Sequence, residues 1–444
     1  MATVTTEVER FSPPSHIEPR RYGRRATTTI YSTNMRGNMK TTKFLRNNTV
    51  VALLLTLTLS ALGQSITRNS RRHGGFTSAH AAVEAGSPPA SSTWTLLFPT
   101  TILDERAAAA AVYDALTNSL IVFGGASAAT VDNDVIALAN ANGIGTSNWT
   151  TVIPNGAPGS PAARTYHTAV YDAANSRMIV FGGCTFTGDF CTAYQNDVWV
   201  LTNANGVSGT PTWTQLTPSG TLPTPRWGHA AVYDPATNEM IVYGGDNQQV
   251  TFSDTWVLSN ANGLGGTPVW TQLSPSGGPP KGQDSPSLVY DSANNVLIEF
   301  AGTESDFGAD TNSVWTLSHA NGMGGTPVWT KIVANGAAGS PPKRDGHVAA
   351  YDAPNNRMIV FGGNANTASG FPQLNDAWVL AHANGIGGKP QWSKLRSSGT
   401  KPGGRTAHVG GYDAANNRLI IYGGGSWDAD FFSTWVLTSA NGLP

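Results

Sequence analysis

Short apolar runs recur from about residue 92 to the end of the chain, with polar and turn-forming residues between them. In the third copy of the pattern the runs are Ala230–Tyr233, Met240–Tyr243, Thr255–Leu258 and Val269–Leu273, and residues 234–238 form a turn. β-Branched and aromatic residues fill the runs, and Gly, Asn, Asp and Pro bound them, which is typical of buried strands joined by tight turns. No stretch shows sustained helical periodicity. The pattern therefore predicts units of four short strands, here named a to d.

The four-strand unit occurs six times. A Gly-Gly pair ends strand b in five units, and Ala301-Gly302 takes its place in the fourth. A Tyr-Asp pair precedes each of these positions. The pairs begin at Tyr113, Tyr171, Tyr233, Tyr290, Tyr351 and Tyr412. Six four-stranded sheets in series predict an all-β, six-bladed propeller, a closed ring that leaves only short, protected edges.

The two ends of the repeat region predict how the ring closes. The last unit stops after Trp435–Leu437 and a loop, and it has no strand d. Upstream of the first unit, Thr93–Leu97 resembles Trp270–Leu273, which is strand d of the third unit. We therefore expect residues 93–97 to supply the outer strand of the sixth blade. The propeller would then span residues 92–444 and join the two ends of the chain.

The repeat resembles the kelch repeat family. The resemblance rests on the Arg344-x-x-His347 type of sequence before Tyr-Asp, the Gly-Gly after strand b, an Asn-Asp before strand c and the distal Trp. It covers residues 92–444 and recurs in the same order in each unit. The period exceeds the about 50 residues usual for kelch, because the loop between strands c and d is long. The resemblance implies a propeller that binds other molecules through loops at one end of the ring.

Residues 1–90 have a different composition, with 12 Lys and Arg against 4 Asp and Glu. The basic segment Met39–Arg46, the apolar run Val50–Leu62 and the small residues at 61–63 are typical of a secretory signal peptide. The run is shorter than the about 20 residues of a membrane span. We predict a signal peptide at 39–63 and a disordered linker at 64–91. Residues 1–38 are predicted to be a non-native extension, the alternative being a genuine basic extension of a long signal peptide.

This organisation predicts a secreted or periplasmic protein without stable membrane insertion after cleavage. Residues 91–444 hold 15 Lys and Arg against 24 Asp and Glu, and the absence of a basic stripe argues against a nucleic acid as partner. We expect a monomer. The two cysteines, Cys184 and Cys191, share one loop, and export favours a disulfide over a metal-binding pair.

An arginine begins strand a in five units, and four of these units also have an aspartate two residues before the strand-c tryptophan position. The fourth unit lacks both, with Gln283 and Ser313 instead. Such joint loss is expected of an ion pair within a blade and not of a ring of ligand-binding arginines. The predicted structural pairs are Arg106–Asp134, Arg164–Asp197, Arg226–Asp254 and Arg344–Asp376. Arg405 has Ser433 at the aspartate position, so Asp428 or Asp430 is its possible partner.

Candidate binding residues lie at the channel mouth and in the loops between strands b and c, which differ among the units. Aromatic faces beside acids suit sugar rings, and aromatic residues equally dominate protein interfaces. The candidates are Arg405, His408, Trp427, Asp428, Phe431, Glu304, Phe307 and Phe190. Histidines occur at 167, 229, 347 and 408, but the sequence does not show that they converge, and we assign no metal site and no cofactor.

The function predicted from these features is a secreted module that binds a glycan or a protein through the b–c loop face. The alternative implied by the resemblance is a carbohydrate-active enzyme of kelch type. A sialic-acid-epimerase-like enzyme would use Arg405, His408, Glu304 or Asp428 as acid and base groups. A galactose-oxidase-like copper enzyme is disfavoured because both cysteines are committed to one loop. No catalytic residue is assigned, and a purely structural surface protein is the third possibility.

Overall fold

The computed structural model describes residues 92–443 apart from 102, 104, 128–129, 188–189, 208, 279, 305–307, 368–369 and 427–430. The predicted segments 1–38, 39–63 and 64–91 lie outside the described residues. The described residues form six sheets of four main strands each, which confirms the six-bladed propeller. No helix in these parts of the chain is long and apolar enough to cross a membrane.

The main strands of each blade run antiparallel in the order a, b, c and d. Blade one contains Ala110–Asp114, Ser119–Ala126, Val131–Ala139 and Asn148–Ile153. Blade two contains Thr168–Asp172, Arg177–Phe181, Val198–Thr202 and Thr212–Leu216. Blade three contains Ala230–Asp234, Glu239–Tyr243, Thr255–Ser259 and Val269–Gln272.

The second half of the ring repeats this arrangement. Blade four contains Ser287–Asp291, Val296–Phe300, Val314–Ser318 and Val328–Val333. Blade five contains Val348–Asp352, Arg357–Phe361, Ala377–Ala381 and Gln391–Lys394. Blade six contains Val409–Asp413, Arg418–Tyr422, Thr434–Thr438 and, as strand d, Ser92–Leu96.

Shorter elements decorate the blades. Ser219–Gly220 and Ser397–Ser398 pair in parallel with the outer strands of blades three and six. Two small antiparallel pairs stand at the b–c end of the ring, Cys184–Thr187 with Phe190–Tyr194 and Gln283–Asp284 with Thr303–Glu304. A 3-10 turn at Ala353–Asn355 joins strands a and b of blade five.

Six apolar clusters hold neighbouring blades together, one at each blade boundary. Strand b lies between two other strands of its sheet, and both of its faces are covered by neighbouring blades. It therefore has a continuous apolar sequence, as in Leu120–Phe123, whose side chains are fully buried. Strand d lies at the outer edge and alternates, so that Trp270 is 2% exposed between two exposed residues.

The ring closes through the strand at the start of the described chain. Trp94 is opposite Leu437, and Leu96 is opposite Trp435, in an antiparallel pairing with strand c of blade six. The Trp94 side chain is 4% exposed and packs 4.8 Å, centroid to centroid, from the ring of Phe361 in blade five. The predicted closure is thus confirmed, with a strand that begins and ends one residue earlier than expected.

A closed circle of side-chain hydrogen bonds joins the blades at the end that carries the c–d loops. In each blade the asparagine of the Ala-Asn-Gly sequence donates from Nδ2 to the aspartate of the Tyr-Asp pair in the preceding blade. The distances are 2.7 Å for Asn142–Asp413, 3.0 Å for Asn205–Asp114, 2.6 Å for Asn262–Asp172, 3.0 Å for Asn321–Asp234, 2.6 Å for Asn384–Asp291 and 2.6 Å for Asn441–Asp352. These aspartates are nearly fully buried, so each contact satisfies a group that would be costly to leave unpaired.

Candidate functional site

The loops between strands b and c, and the segments that lead into strand a, meet at the other end of the ring, here called the b–c face. A circle of backbone hydrogen bonds surrounds the channel there. The residue two positions after each strand-a arginine, or after Gln283 in blade four, donates its N–H to the equivalent residue of the preceding blade, at 2.7 to 3.4 Å. The members are Ala108, Tyr166, Gly228, Ser285, Gly346 and Ala407. All six have φ between 52° and 60°, so the circle requires a left-handed backbone that most residues avoid.

The four predicted arginine–aspartate pairs lie just beneath this circle. The Nη1–Oδ1 distances are 2.6 Å for Arg106–Asp134, 2.7 Å for Arg164–Asp197, 2.6 Å for Arg226–Asp254 and 3.0 Å for Arg344–Asp376. Each guanidinium also donates to the carbonyl of the first residue of the Gly-Gly pair, as Arg164 does to Gly182 at 3.0 Å. The arginine side chains are between 0% and 6% exposed. The geometry is that of an internal brace within each blade.

The charges of these pairs are mutually satisfied. Burial raises the pKa of Asp197, but the hydrogen bond and charge of Arg164 outweigh this effect, and the pKa is lowered overall. The indole Nε1 of Trp199 donates 2.7 Å to the second oxygen of the same carboxylate. Burial likewise lowers the pKa of Arg106, and Asp134 more than restores it. These arginines therefore have no free donor pair for an incoming anion.

Arg405 has a different environment. It is 1% exposed, and its nearest polar contacts are neutral: Gly423 O at 2.8 Å and Ser433 Oγ at 3.3 Å. The Phe431 ring covers the guanidinium, with its centroid 4.4 Å from Cζ. Burial lowers the pKa of Arg405 to about 10. The structure thus brings two candidate binding residues, Arg405 and Phe431, together as a cation–aromatic stack.

The four channel histidines serve the contact between blades. Each imidazole stands edge-on to the last aromatic residue of strand b in the preceding blade, at 5.0 to 5.5 Å between ring centroids. Burial lowers the pKa of His167 and His408 to about 3. Neutral, buried imidazoles in this position are structural, and among the described residues His408 is not brought into contact with Glu304.

The Gly-Gly pair and the histidine are two sides of one contact. At Gly182, where φ is +65°, a Cβ would lie 2.8 Å from Cε1 of His229 in the next blade. The second glycine of each pair donates its N–H to the carbonyl of the next blade's strand-a arginine or of Gln283, at 2.7 to 3.0 Å. This bond occurs at all six blade boundaries, from Gly125–Arg164 to Gly424–Arg106. The sequence signature therefore records how blades dock, not a ligand site.

The channel contains two cavities. The one toward the b–c face has a volume of about 230 Å³ and is lined by the four histidines and the first residues of strand a. The other, toward the c–d loops, is about 380 Å³ and is lined by the six tyrosines of the Tyr-Asp pairs. Burial and neighbouring aspartates raise the pKa of these hydroxyls, as for Tyr290. Within the described ranges, no three His, Cys, Asp or Glu side chains are arranged to hold a metal ion.

The other candidate residues are spread over the b–c face. Glu304 pairs with the exposed Lys281 at 3.3 Å, far along the ring from the blade-six residues. Phe190 begins a strand of the blade-two hairpin, and its side chain lies outside what the structure describes. Phe307, Trp427 and Asp428 lie outside the described residues. The predicted disulfide between Cys184 and Cys191 is confirmed and bridges this hairpin.

Several residues of this face were not singled out from the sequence. Tyr166 and Trp227 form an edge-on aromatic pair at 5.0 Å, half-buried beside the channel mouth. Two acids, Asp284 and Asp345, follow the strand-a position in blades four and five, and Thr303 Oγ1 lies 3.0 Å from Asp345 Oδ2. Tyr166, Trp227, Asp284 and Asp345 each occupy one of the two variable positions inside the Arg-x-x-His sequence or its equivalent. Comparing those positions among the six units would have found them.

Blade four departs from the rest of the ring. Gln283 replaces the arginine, and its Oε1 is buried without a hydrogen-bond partner among the described residues. Glu299 replaces an apolar residue of strand b and is 0% exposed, and neither carboxylate oxygen is hydrogen-bonded in the described structure. Burial, and secondarily the charge of Glu304, raise the pKa of Glu299 well above its ordinary value.

Comparison with known proteins agrees with this architecture. The structure resembles that of YjhT with a TM-score of 0.51 and 18% sequence identity, over 77% of this chain and 96% of that chain. This likeness concerns the fold alone. The family model for the KLHDC2/KLHL20/DRC7 Kelch-repeats domain matches residues 89–263, 205–320 and 266–438.

Among curated proteins, the chain is similar to parts of its relatives. It is 29% identical over 259 residues to the leucine-zipper-like transcriptional regulator 1 homolog of Drosophila melanogaster, covering 57% of this chain and 24% of that protein. It is 28% identical over 225 residues to the mouse Rab9 effector protein with kelch motifs, covering 50% and 53%. The matches span about a quarter and about half of those proteins' lengths. Together with the repeated signature and the six blades, they place this chain in the kelch-repeat family.

Proposed function

We propose that this protein is an interaction module that binds a protein partner on the b–c face of its propeller. The observation that carries the proposal is the contrast between the ends of the blades. The strands and blade-to-blade contacts are nearly the same around the ring, and four blades share the Arg–Asp brace, whereas the b–c loops and the segments entering strand a differ among the blades. Variable loops on a rigid scaffold are where proteins usually place their binding residues.

The chemistry of this face suits a protein surface of mixed character. Tyr166 and Trp227 offer half-buried aromatic side chains beside the channel mouth, and such residues contribute most to binding energy at protein interfaces. Asp284 and Glu304 place acidic groups on blade four, which follows the aromatic residue of blade three. We infer that the partner presents basic side chains to blade four and an apolar or aromatic group to blades two and three.

The relatives support a role in binding without naming the partner. One of them is described as a Rab9 effector with kelch motifs, and another as a leucine-zipper-like transcriptional regulator 1 homolog. Because the resemblance is partial, their own partners do not transfer to this chain. A fold alone does not specify function, so the partner of this face has to come from binding experiments.

We favour binding over catalysis for this face. The carbohydrate-active alternative needs an acid or base within reach of a substrate. His408 is buried in the contact with blade five and has a pKa of about 3, and Glu304 is engaged by Lys281. A glycan remains the alternative ligand, because an aromatic pair beside carboxylates also suits a sugar ring.

The test compares two double variants in affinity capture and on a glycan array. Trp227→Ala with Asp284→Asn alters the b–c face, and Leu264→Ala with Val207→Ala alters exposed residues at the opposite end. We expect a protein that binds the wild type and the second variant, and binds the first at least tenfold more weakly. Sugar binding with the same variant dependence would replace the protein partner by a glycan. Equal binding by both variants would refute this face as the site.

We also propose that the protein is exported. The basic segment, apolar run and small residues at 39–63 support a cleaved signal peptide, and a disulfide is typical of an oxidising compartment. The mature protein should begin at or near Gln64 when the secreted fraction is analysed by mass spectrometry. An intact chain from Met1 that stays inside the cell would contradict export.

A further inference from the structure

Five c–d loops carry an exposed aliphatic side chain directly after their Asn-Gly sequence. Ile144, Val207, Leu264, Met323 and Ile386 are 46%, 73%, 39%, 44% and 49% exposed. The sixth member of the set, Leu443, is half-buried. Turns of this kind favour small and polar residues, yet all six copies have an aliphatic residue at this position. These six residues are here called the aliphatic ring, and they lie at the end of the propeller opposite the b–c face.

The loops hold these side chains in fixed positions. The backbone N–H of each member donates to Oδ1 of the preceding asparagine, at 2.8 to 3.0 Å. The same asparagine is bound through Nδ2 to the buried aspartate of the preceding blade, as in Asn262–Asp172 at 2.6 Å. The aliphatic ring is therefore presented by a hydrogen-bonded circle and not by free loop tips, so little conformational entropy is lost when it docks.

The exposed charge around the aliphatic ring is positive. Lys389 is exposed in the blade-five loop, and Arg177, Arg357 and Arg418 are half-exposed where strand b begins. Each of these arginines donates from Nη1 to the carbonyl of a loop asparagine in the following blade, at 2.8 to 3.1 Å. The described a–b turns and c–d loops contain no Asp or Glu, the aspartates that precede the turns are buried, and Glu239, which takes the place of these arginines in blade three, is only 8% exposed.

We propose that the c–d loop end of the propeller docks on the surface of an anionic lipid bilayer. Exposed aliphatic side chains repeated around one end of the ring, with basic residues at the same end, match an interface of acyl chains and negative headgroups. A second copy meeting the same face would bring like charges together, which disfavours self-association there. Ser92 Oγ donates 3.0 Å to Ser439 O, so the first described residue of the propeller lies at this same end. This site is separate from the b–c face and does not rest on the function proposed for it.

The experiment measures cosedimentation of the full chain with vesicles of phosphatidylcholine containing about 30% phosphatidylserine, and with phosphatidylcholine alone. The test variant is Val207→Ser, Leu264→Ser and Ile386→Ser. The matched control is Leu222→Ser and Val250→Ser, which removes side chains that are 45% and 50% exposed outside the aliphatic ring. Every replaced side chain is exposed, so both variants should fold. Thermal melting checks this.

We expect the wild type and the control to bind the anionic vesicles, with binding that weakens as salt increases. The aliphatic-ring variant should bind at least tenfold more weakly. Wild-type protein that does not bind, or that binds neutral vesicles equally well, overturns the proposal. Unchanged binding by the aliphatic-ring variant also overturns it and assigns the affinity to residues before the propeller. Self-association that the variant abolishes, without vesicle binding, would identify a second copy as the occupant instead.

Discussion

Glu299 occupies a strand-b position that is valine or isoleucine in the five other blades. The equivalent residues are Val122, Val180, Val242, Val360 and Ile421. Its carboxyl group is fully buried beside Tyr243, and burial raises its pKa well above the ordinary value of 4.5. A buried polar group without a hydrogen bond costs about 1–3 kcal/mol of stability.

We predict that Glu299→Val stabilises the protein by about 1–3 kcal/mol at acidic pH. The gain should increase above pH 4.5, because the unfolded chain then releases the Glu299 proton while the folded chain retains it. The wild type loses at most about 1.4 kcal/mol per pH unit in this range. Denaturant unfolding of both proteins at several pH values measures the difference. As a control, Glu304→Gln removes a half-buried negative charge nearby and should keep most of the pH dependence. A stability difference between the wild type and Glu299→Val that does not change with pH would contradict the raised pKa of Glu299.

Arg405 is the buried arginine that stands opposite a serine. We predict that Ser433→Asp stabilises the protein by about 1–3 kcal/mol, because a charged hydrogen bond would replace the neutral contact that spans 3.3 Å. Melting temperature measures the effect. The matched control is Ser313→Asp, the same change in blade four, where Gln283 offers no charge and a buried carboxylate should destabilise. If Ser433→Asp brings no gain, another anion already neutralises Arg405.

The sequence predicted some residue contacts and missed others for a physical reason. The contact between Arg164 and Asp197 was predicted because blade four lacks both the arginine and the aspartate. Their joint loss indicates that the two residues interact. The Asn262–Asp172 contact was not predicted, since both residue types occur in all six copies and no copy loses one of them. A contact that never varies leaves no covariation within the chain. The polarity of Glu299 at an apolar position was visible, but its burial without a hydrogen bond required the structure.

At the scale of elements, the strand that closes the ring carries the clearest test. We predict that Trp94→Ala costs about 3–5 kcal/mol, because Trp94 is 4% exposed and fills the space beside Phe361. Phe98→Ala is the matched control, because Phe98 stands four residues later and is 83% exposed. Its removal should change the free energy of unfolding by less than about 0.5 kcal/mol. Similar losses in both variants would place the stability of this segment elsewhere than in ring closure.

Strands were predictable because each must bury apolar side chains at fixed blade boundaries. The predicted strands of blade three agree with the observed ones to within one residue at each end. The b–c loops were not predictable, because their conformations depend on local hydrogen bonds such as Asn366 N to Asp310 Oδ2 at 2.5 Å, which joins blades four and five. The sequence therefore indicated the face on which function lies, and the structure was needed to bring Tyr166 and Trp227 together there.

At the scale of the whole molecule, three sets of hydrogen bonds and contacts, each repeated around the ring, cross the same six blade boundaries. The Asn–Asp circle joins the c–d end, and the backbone circle and the Gly-Gly contacts with the next blade join the b–c end. All six boundaries are also covalently continuous, because Ser92–Leu96 leads on to blade one, and the two ends of the described chain meet inside blade six, where Ser92–Leu96 pairs with Thr434–Thr438. The stability of the ring should therefore require that one blade is built from both ends of the chain. Which of the six blades this is should matter little.

We predict that a circular permutant retains the fold when its new ends again share one blade. Residues 443 and 92 would be linked, and the chain opened between Gly265 and Gly266, two exposed residues in the c–d loop of blade three. Strands c and d of that blade would then come from opposite ends of the permuted chain, as they do in blade six of the natural chain.

The matched control opens the segment between blades three and four, at Ser274. Every blade is then continuous, and the two ends meet only through blade-to-blade contacts. We expect the first permutant to melt within a few degrees of residues 92–443 in their natural order. The second should melt at a lower temperature and be cleaved faster by protease, because no strand pairing joins its two ends. Equal stability of the two permutants would mean that side-chain and backbone circles alone close the ring.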